Sequence, residues 1–431
     1  MVKRNIKKHK RLAPEQKVRK PRILWANTFC LLDTSSGASI SAREMLRQLA
    51  FHGYDICIVG ATVFDSEKGI SRFPENWKSM VSEKNNILQI HDAPLEHKLF
   101  VTKSTRRSEM TAKESDLWFS LYVQTLEAFK PDLVFFYGGQ TLDLLISDEA
   151  RQRSISSAAY LVNGNYSGAR WYRDVTLIIT DSQATADFYE RQDGIKPVPV
   201  GTFIEPSTVR AVEHTRKNLL FINPSLEKGA SIVIQLAMLL EKLRPDIQFE
   251  VVESRGNWQA LVKLITSQSG DAPREELSNV IVTPNTNDMR PIYGRARLIL
   301  APSLWWESGS RVLAEAMLNA IPAIVTDRGG SPEMIGIGGM KIQLPDVCHE
   351  KPYTAFPKPE LLQPLVERII QLYDDERFYN DYVIRARHVG ETLHNMANST
   401  QRLIQAFQPH LQRVGDDTFD GATTHSDAKS V

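Results

Sequence analysis

Short apolar runs alternate with longer segments of helical period along this chain, and the alternation is built twice. Strands that feed helices cannot pair as hairpins, so the pattern calls for parallel sheets covered by helices on both faces. The first block opens on Arg22-Ile23-Leu24-Trp25-Ala26, a loop Asp33 to Ser39, and a helix whose apolar side carries Ile40, Met45, Leu46, Leu49 and Ala50. It continues with strands at 55–60, 133–137 and 176–180, a helix from Ser182 to about Tyr189, and a last strand at 197–201. A polar stretch, Glu205 to Lys217, reads as a linker. The second block restarts with Leu219-Leu220-Phe221-Ile222, the turn Asn223 to Gly229, and a helix faced by Ile232, Val233, Leu236, Leu239, Leu240 and Leu243. Strands follow near 249–252, 280–282, 298–300 and 323–325, and one long charged helical region runs from about Glu360 to Phe407. The expected fold class is α/β, two Rossmann-like domains. The expected organisation is a basic disordered arm at 1–20, domains at 21–205 and 206–390, a last helix at 391–413, and a disordered tail at 414–431.

The net charge of +1 hides an uneven distribution. Residues 1–22 hold ten Lys and Arg against Glu15 alone, while the rest of the chain has 42 basic and 50 acidic residues. An arm of this kind, residues 3–22, is either a solvated tail or an electrostatic contact to an anionic membrane surface. Nucleic acid is not the expected partner, because the acidic body would repel it. Cys30, Cys57 and Cys348 are odd in number and form no CxxC, which argues for a reducing compartment and against a zinc site. There is no signal-peptide apolar region and no apolar run of the roughly 18 residues needed to span a bilayer, so a cytoplasmic protein, peripheral at the inner membrane face if the arm binds there, is expected.

Parallel sheets bind ligands in the loops after their strands, and one such loop is rich in chemistry. It reads Trp305-Trp306-Glu307-Ser308-Gly309-Ser310-Arg311 and leads into a helix carrying Glu315. The N–H groups at Gly309 and Ser310 open a helix N-terminus, which favours phosphate, while the two carboxylates accept hydrogen bonds from hydroxyls. At about 100° per residue Glu315 falls near Arg311, away from the stripe Val312, Leu313, Ala316, Met317, so an ordinary i,i+4 ion pair on a solvated face is the competing reading. Glu307 has no such explanation. A carboxylate in that turn would repel a phosphate unless a sugar lies between them.

With Pro302-Ser303 before it and Pro322 to Glu333 after it, the Glu307-x7-Glu315 block resembles the retaining glycosyltransferases of the GT-B fold, family 4. Further pieces are similar to that family: Gly37-Ala38 in the first loop, Lys130-Pro131-Asp132 before a strand, Thr180-Asp181-Ser182, Glu227-Lys228-Gly229, and Ile292-Tyr293 before Leu298 to Ser303. The likeness covers about residues 21–410 and implies two domains facing each other across a cleft, with 391–413 a crossover helix returning to the first domain. It implies Glu307 on the donor sugar, Glu315 on the nucleotide ribose, Lys228 on the diphosphate, and Gly309, Ser310, Arg311 and Gly37 around the donor. Two departures stand out. The family's Gly-Arg turn before the lysine is Asn223-Pro224 here, with Arg311 a substitute for the charge, and its histidine pair after a first-domain strand is Tyr137-Gly138-Gly139-Gln140. Tyr137 and Gln140 are therefore either acceptor contacts or loop packing.

The resemblance implies a retaining, metal-independent hexosyltransferase acting from a nucleoside diphosphate-sugar onto a glycan or lipid-linked acceptor, in surface polysaccharide synthesis, without a cofactor. No Asp-x-Asp ends a strand: Asp374-Asp375 lies in the helical region and Asp416-Asp417 in the tail. No Gly-x-Gly-x-x-Gly follows a strand, so dinucleotide binding is not expected. The alternatives are a nucleotide-sugar epimerase or phosphorylase on the same plan, and a non-catalytic glycan-assembly scaffold.

Overall fold

The computed structural model describes residues 19–82, 84–254, 256–268 and 272–411. Most of the basic arm and the acidic tail, 1–18 and 412–431, lie outside the described residues. Two sheets form. The first contains β1 (Arg22–Ala26), β2 (Asp55–Ala61), β3 (Ile87–Asp92), β4 (Leu95–Phe100), β5 (Leu133–Tyr137), β6 (Ser156–Leu161), β7 (Leu177–Thr180) and β8 (Val198–Pro199), in the order β3-β4-β2-β1-β5-β6-β7-β8. The second contains β9 (Asn218–Ile222), β10 (Phe249–Val252), β11 (Val280–Thr283), β12 (Ala296–Ala301), β13 (Ala323–Thr326) and β14 (Gly339–Ile342), in the order β11-β10-β9-β12-β13-β14. All pairings are parallel except β3 with β4. Central strands buried on both faces need apolar residues throughout, and β5 supplies Leu-Val-Phe-Phe-Tyr, every side chain buried.

The sequence reading misses the β3–β4 hairpin, β6 and β14. In β3 the period-two signal is short: Leu88 and Ile90 point into a small core with Leu99, while Gln89 and His91 are exposed. In β6, Ser-Ser-Ala-Ala-Tyr-Leu has weak strand propensity and owes its conformation to β5 and β7 on either side. The single helical region expected from Glu360 to Phe407 is three helices: Pro359–Asp374, Glu376–Thr392 and Met396–Phe407. Asp375 and Asn395 break it, each capping the next helix by accepting a backbone N–H at 2.9 Å (Phe378) and 3.1 Å (Asn398).

The last helix returns to the first domain as expected. Leu403 and Phe407 are fully buried there, and the Phe407 ring stands edge-on to Phe135 at 5.3 Å between centroids. Burial of two such side chains contributes about 1.5–3 kcal/mol each. The polar stretch 205–217 is no free linker: Arg210 donates to Leu318 O at 3.2 Å, the Ala211 N–H to Asn319 Oδ1 at 2.8 Å, and Arg216 to Ala320 O at 2.9 Å. Arg19 and Arg22, counted with the basic arm, are engaged on the first domain. Arg19 pairs with Asp132, and Arg22 with Asp55 at 3.4 Å. No described helix is long and apolar enough to cross a membrane.

Candidate active site

Each sheet reverses its strand order once beside its first strand, between β1 and β5 and between β9 and β12. At such a switch point the flanking loops run in opposite directions and leave a crevice at the strands' carboxyl ends. The two crevices face one another and form a cavity of about 730 Å³. All ten residues singled out in the sequence line it.

The second-domain wall is built around Glu307, which is 7% exposed. Ser303 Oγ donates to its Oε1 at 2.9 Å, and Lys228 Nζ pairs with the same oxygen. Burial pushes the carboxyl up, but the Lys228 charge and these hydrogen bonds outweigh it and hold the group below the ordinary carboxylate range. Its backbone is fixed as well. The Gly330 N–H donates to Glu307 O at 2.7 Å, and Glu307 bridges Asn163 of the first domain. A Cβ on Gly329, at φ +61°, would lie 2.4 Å from that carbonyl oxygen, so only glycine fits beneath the turn. Lys228 reaches the site because Gly229, φ +82°, lets its turn press against Pro302 O, and Nζ then lies 4.9 Å from the Trp305 ring centroid.

Glu315 closes the other end of this wall. The expected Arg311–Glu315 pair forms, Nε to Oε1 at 2.7 Å, but not on a solvated face: Glu315 is 7% exposed and also accepts the Tyr293 hydroxyl at 2.6 Å. Arg311 is held further by Phe203 O at 3.0 Å, across the domain boundary. Ser310 caps the helix Arg311–Leu318, and Gly309 lies so close to Asp181 that a Cβ would sit 2.4 Å from it. Asn223 adopts φ +60°. In the Asn223-Pro224 turn it therefore takes the left-handed conformation that suits glycine, and the turn carries no cation in place of an arginine.

The first-domain wall is looser. Gly37 begins the helix Gly37–Phe51, capped by Ser36, and a Cβ there would meet nothing within 4 Å. Gln140 is exposed at the start of the helix Thr141–Gln152. Tyr137 lines the cavity but fits the packing alternative. Its hydroxyl is 3.0 Å from Ser39 Oγ, and its buried ring packs on Trp25 at 5.5 Å, so the side chain is part of the core behind the wall. Tyr160, Asp143 and Arg72 are among the cavity residues that escape the sequence reading, and Asp181 entered it only within Thr180-Asp181-Ser182. Burial raises the Asp181 carboxyl to about 7, against a hydrogen bond from the Tyr160 hydroxyl at 2.5 Å and the Arg311 charge. Burial likewise raises Asp143 to about 6. Only Asp181 sat in a motif that could have marked it. Among the described residues no group of three His, Cys, Asp or Glu could hold a metal ion.

The two walls are fastened together. Trp306 packs at a tilt on Phe188, 4.3 Å between centroids, and lies over Gly164, and Thr180 and Ser308 hydroxyls are 2.9 Å apart. Glu333 accepts the N–H groups of Gln183 and Ala184 at 2.9 Å each, capping a helix of the other domain.

Residues 211–389, the second domain, match the family model "Glycosyl transferases group 1". The chain carries a group 1 glycosyltransferase domain. Around that domain the whole architecture is GT-B. A glycosyltransferase from Rickettsia africae is 14% identical with a TM-score of 0.62, the match covering 91% of this chain and 99% of that one. Sucrose-phosphate synthase from Thermosynechococcus elongatus gives 12% and 0.63 over 91% and 99%. HepE from Anabaena, in complex with UDP-glucose, gives 14% and 0.60 over 90% and 99%. No curated protein matches by sequence. At these identities the structural likeness establishes the fold, and the group 1 domain is the half that carries Glu307, Glu315 and Lys228.

Proposed function

We propose that the chain is a retaining glycosyltransferase of family 4 type that moves a hexose from a nucleoside diphosphate-sugar to a glycan or lipid-linked acceptor, without a metal or cofactor. The observation that carries this reading is the pairing of Glu307 with Lys228 inside the cavity, beside the Gly309–Ser310 turn and on the same wall as Glu315. A sugar and its diphosphate share one oxygen. A carboxylate for sugar hydroxyls and a cation for phosphate must therefore be neighbours at the reacting carbon, as these two are. Glu315 takes the ribose, and the N–H groups of Gly309 and Ser310 with Arg311 take phosphate oxygens.

In the transfer the acceptor oxygen bonds to the anomeric carbon while that carbon's bond to the diphosphate breaks. The acceptor's proton passes to the leaving phosphate oxygen on the same face, which retains configuration. Lys228 and the turn stabilise charge as it builds on the diphosphate, in a cavity kept dry by the apposed walls. Gln140 is the acceptor contact. The site fits an anabolic role in surface polysaccharide synthesis at the membrane's inner face. Arg19 and Arg22 being engaged, any lipid contact falls to the cations before them.

The test is Glu307→Gln, assayed with a panel of UDP-, GDP- and ADP-sugars after the melting temperature shows the variant folded. Transfer is expected to fall by about 10²–10³-fold. Wild-type turnover would sink the assignment. Calorimetry of the wild type with UDP, GDP and ADP separates an enzyme from a scaffold, which would bind none.

A further inference from the structure

The second-domain cations that line the cavity each carry their own carboxylate: Lys228 has Glu307 and Arg311 has Glu315. Each pair is close to neutral, so this wall offers a diphosphate little uncompensated positive charge. Arg72, on the first domain, is different. It lines the same cavity, is exposed, and makes no ion pair or side-chain hydrogen bond among the described residues. The charges acting on it most strongly are Arg43, Asp92, Arg47 and Arg311. Asp92 is already gripped by Arg43 through two bonds at 2.6 and 2.5 Å. Arg43 and Arg47 share Asp92, and Arg311 has Glu315, so Arg72 is the cavity cation without a carboxylate of its own among the described residues, and an anion in the cavity would supply one.

The turn that carries it, Glu67–Arg72, is placed for this. On one side it rests on the loop before Gly37: Thr34 Oγ1 lies 2.9 Å from Ser71 Oγ, and a Cβ on Gly69 would overlap Asp33 Oδ1 at 1.9 Å. On the other it reaches across the cleft, Lys68 Nζ donating to Ser254 O at 3.2 Å and Ser71 Oγ to Asn287 Oδ1 at 3.3 Å. These bonds bring Arg72 to the cavity from the domain that does not supply the main donor pocket.

We propose that Arg72 is a phosphate-binding residue delivered in trans by the first domain, closing on the donor's diphosphate opposite Arg311 and Lys228. The assignment rests on the cavity being a nucleotide-sugar site. It makes charge neutralisation of the leaving group depend on apposition of the two domains, since the second-domain wall alone offers little net positive charge.

Calorimetry on the full chain tests it with UDP, GDP and ADP and the matching monophosphates. The Arg72→Met variant is expected to keep the wild-type melting temperature and to bind the preferred diphosphate about 10–100-fold more weakly, as for loss of a charged hydrogen bond. Its affinity for the monophosphate should fall much less, and Arg72→Lys should recover part of the loss. Diphosphate affinity within about twofold of wild type in Arg72→Met, or equal losses for mono- and diphosphate, would overturn the proposal. A wild-type protein that binds no nucleotide would instead overturn the nucleotide-sugar reading itself.

Discussion

The two walls of the cavity are made to different standards. On the second-domain side Glu307, Glu315, Lys228 and Arg311 each touch a named partner, and glycines at 229, 329 and 330 let backbone meet backbone beneath them. On the first-domain side Gly37, Gln140 and Arg72 are exposed, and Gly37 faces open space. A wall held by buried ion pairs is preorganised, because its groups need not reorient when a ligand arrives. A wall of exposed side chains has room to accept varied molecules.

Substitutions can break or sharpen this contrast. The largest effect is expected from Lys228→Met, which leaves Glu307 as a buried charge without its cation. It should cost about 3–5 kcal/mol of stability in denaturant titrations, besides abolishing transfer. A loss of activity with unchanged stability would mean that the wall is not preorganised. Next is Glu315→Gln. Binding of the nucleoside diphosphate should weaken by about tenfold, read by calorimetry, because a neutral amide replaces a charged acceptor.

Asp181 tests the seam between the walls through pH. Its carboxyl sits at about 7 in the folded chain against an ordinary 3.8. The folded state therefore holds more protons between those values, and the stability this contributes is full below pH 3.8 and lost as pH rises through 7. Wild-type melting temperature should thus fall more from pH 5 to pH 8 than that of Asp181→Asn; parallel curves would discard the idea. The smallest effect belongs to Tyr137→Phe. It removes a hydroxyl that meets Ser39 rather than the ligand, costs about 1 kcal/mol, and should leave transfer unchanged.

The same contrast explains what could be read from the amino acids. Glu307, Gly309, Ser310, Arg311 and Glu315 lie within nine consecutive residues, so local spacing carries their geometry. Lys228 sits in a turn of its own, yet it too follows a strand at the switch point. Arg72, Asp143, Tyr160 and Asp181 come from four separate segments, and only the order of strands in the first sheet brings them to one surface. Apart from Thr180-Asp181-Ser182, nothing in their flanking residues announces that. For Glu315, spacing gave the ion pair but not its burial, which depends on Tyr293, 22 positions earlier. The strand β6 was hidden for a related reason: its partners, rather than its side chains, make it a strand.

The helix Met396–Phe407 has a consequence for how the protein is made. Leu403 and Phe407 belong to the core of the domain that is synthesised first, yet they leave the ribosome after the whole second domain. At about 5–20 residues per second, the first domain waits with part of its interior uncovered for many seconds while its neighbour is completed. Its apolar gap beside Phe135 is exposed throughout that interval, so the nascent chain is more open to chaperones and aggregation than the finished one. Completion of the last helix is then the event that turns two partly built halves into one cleft.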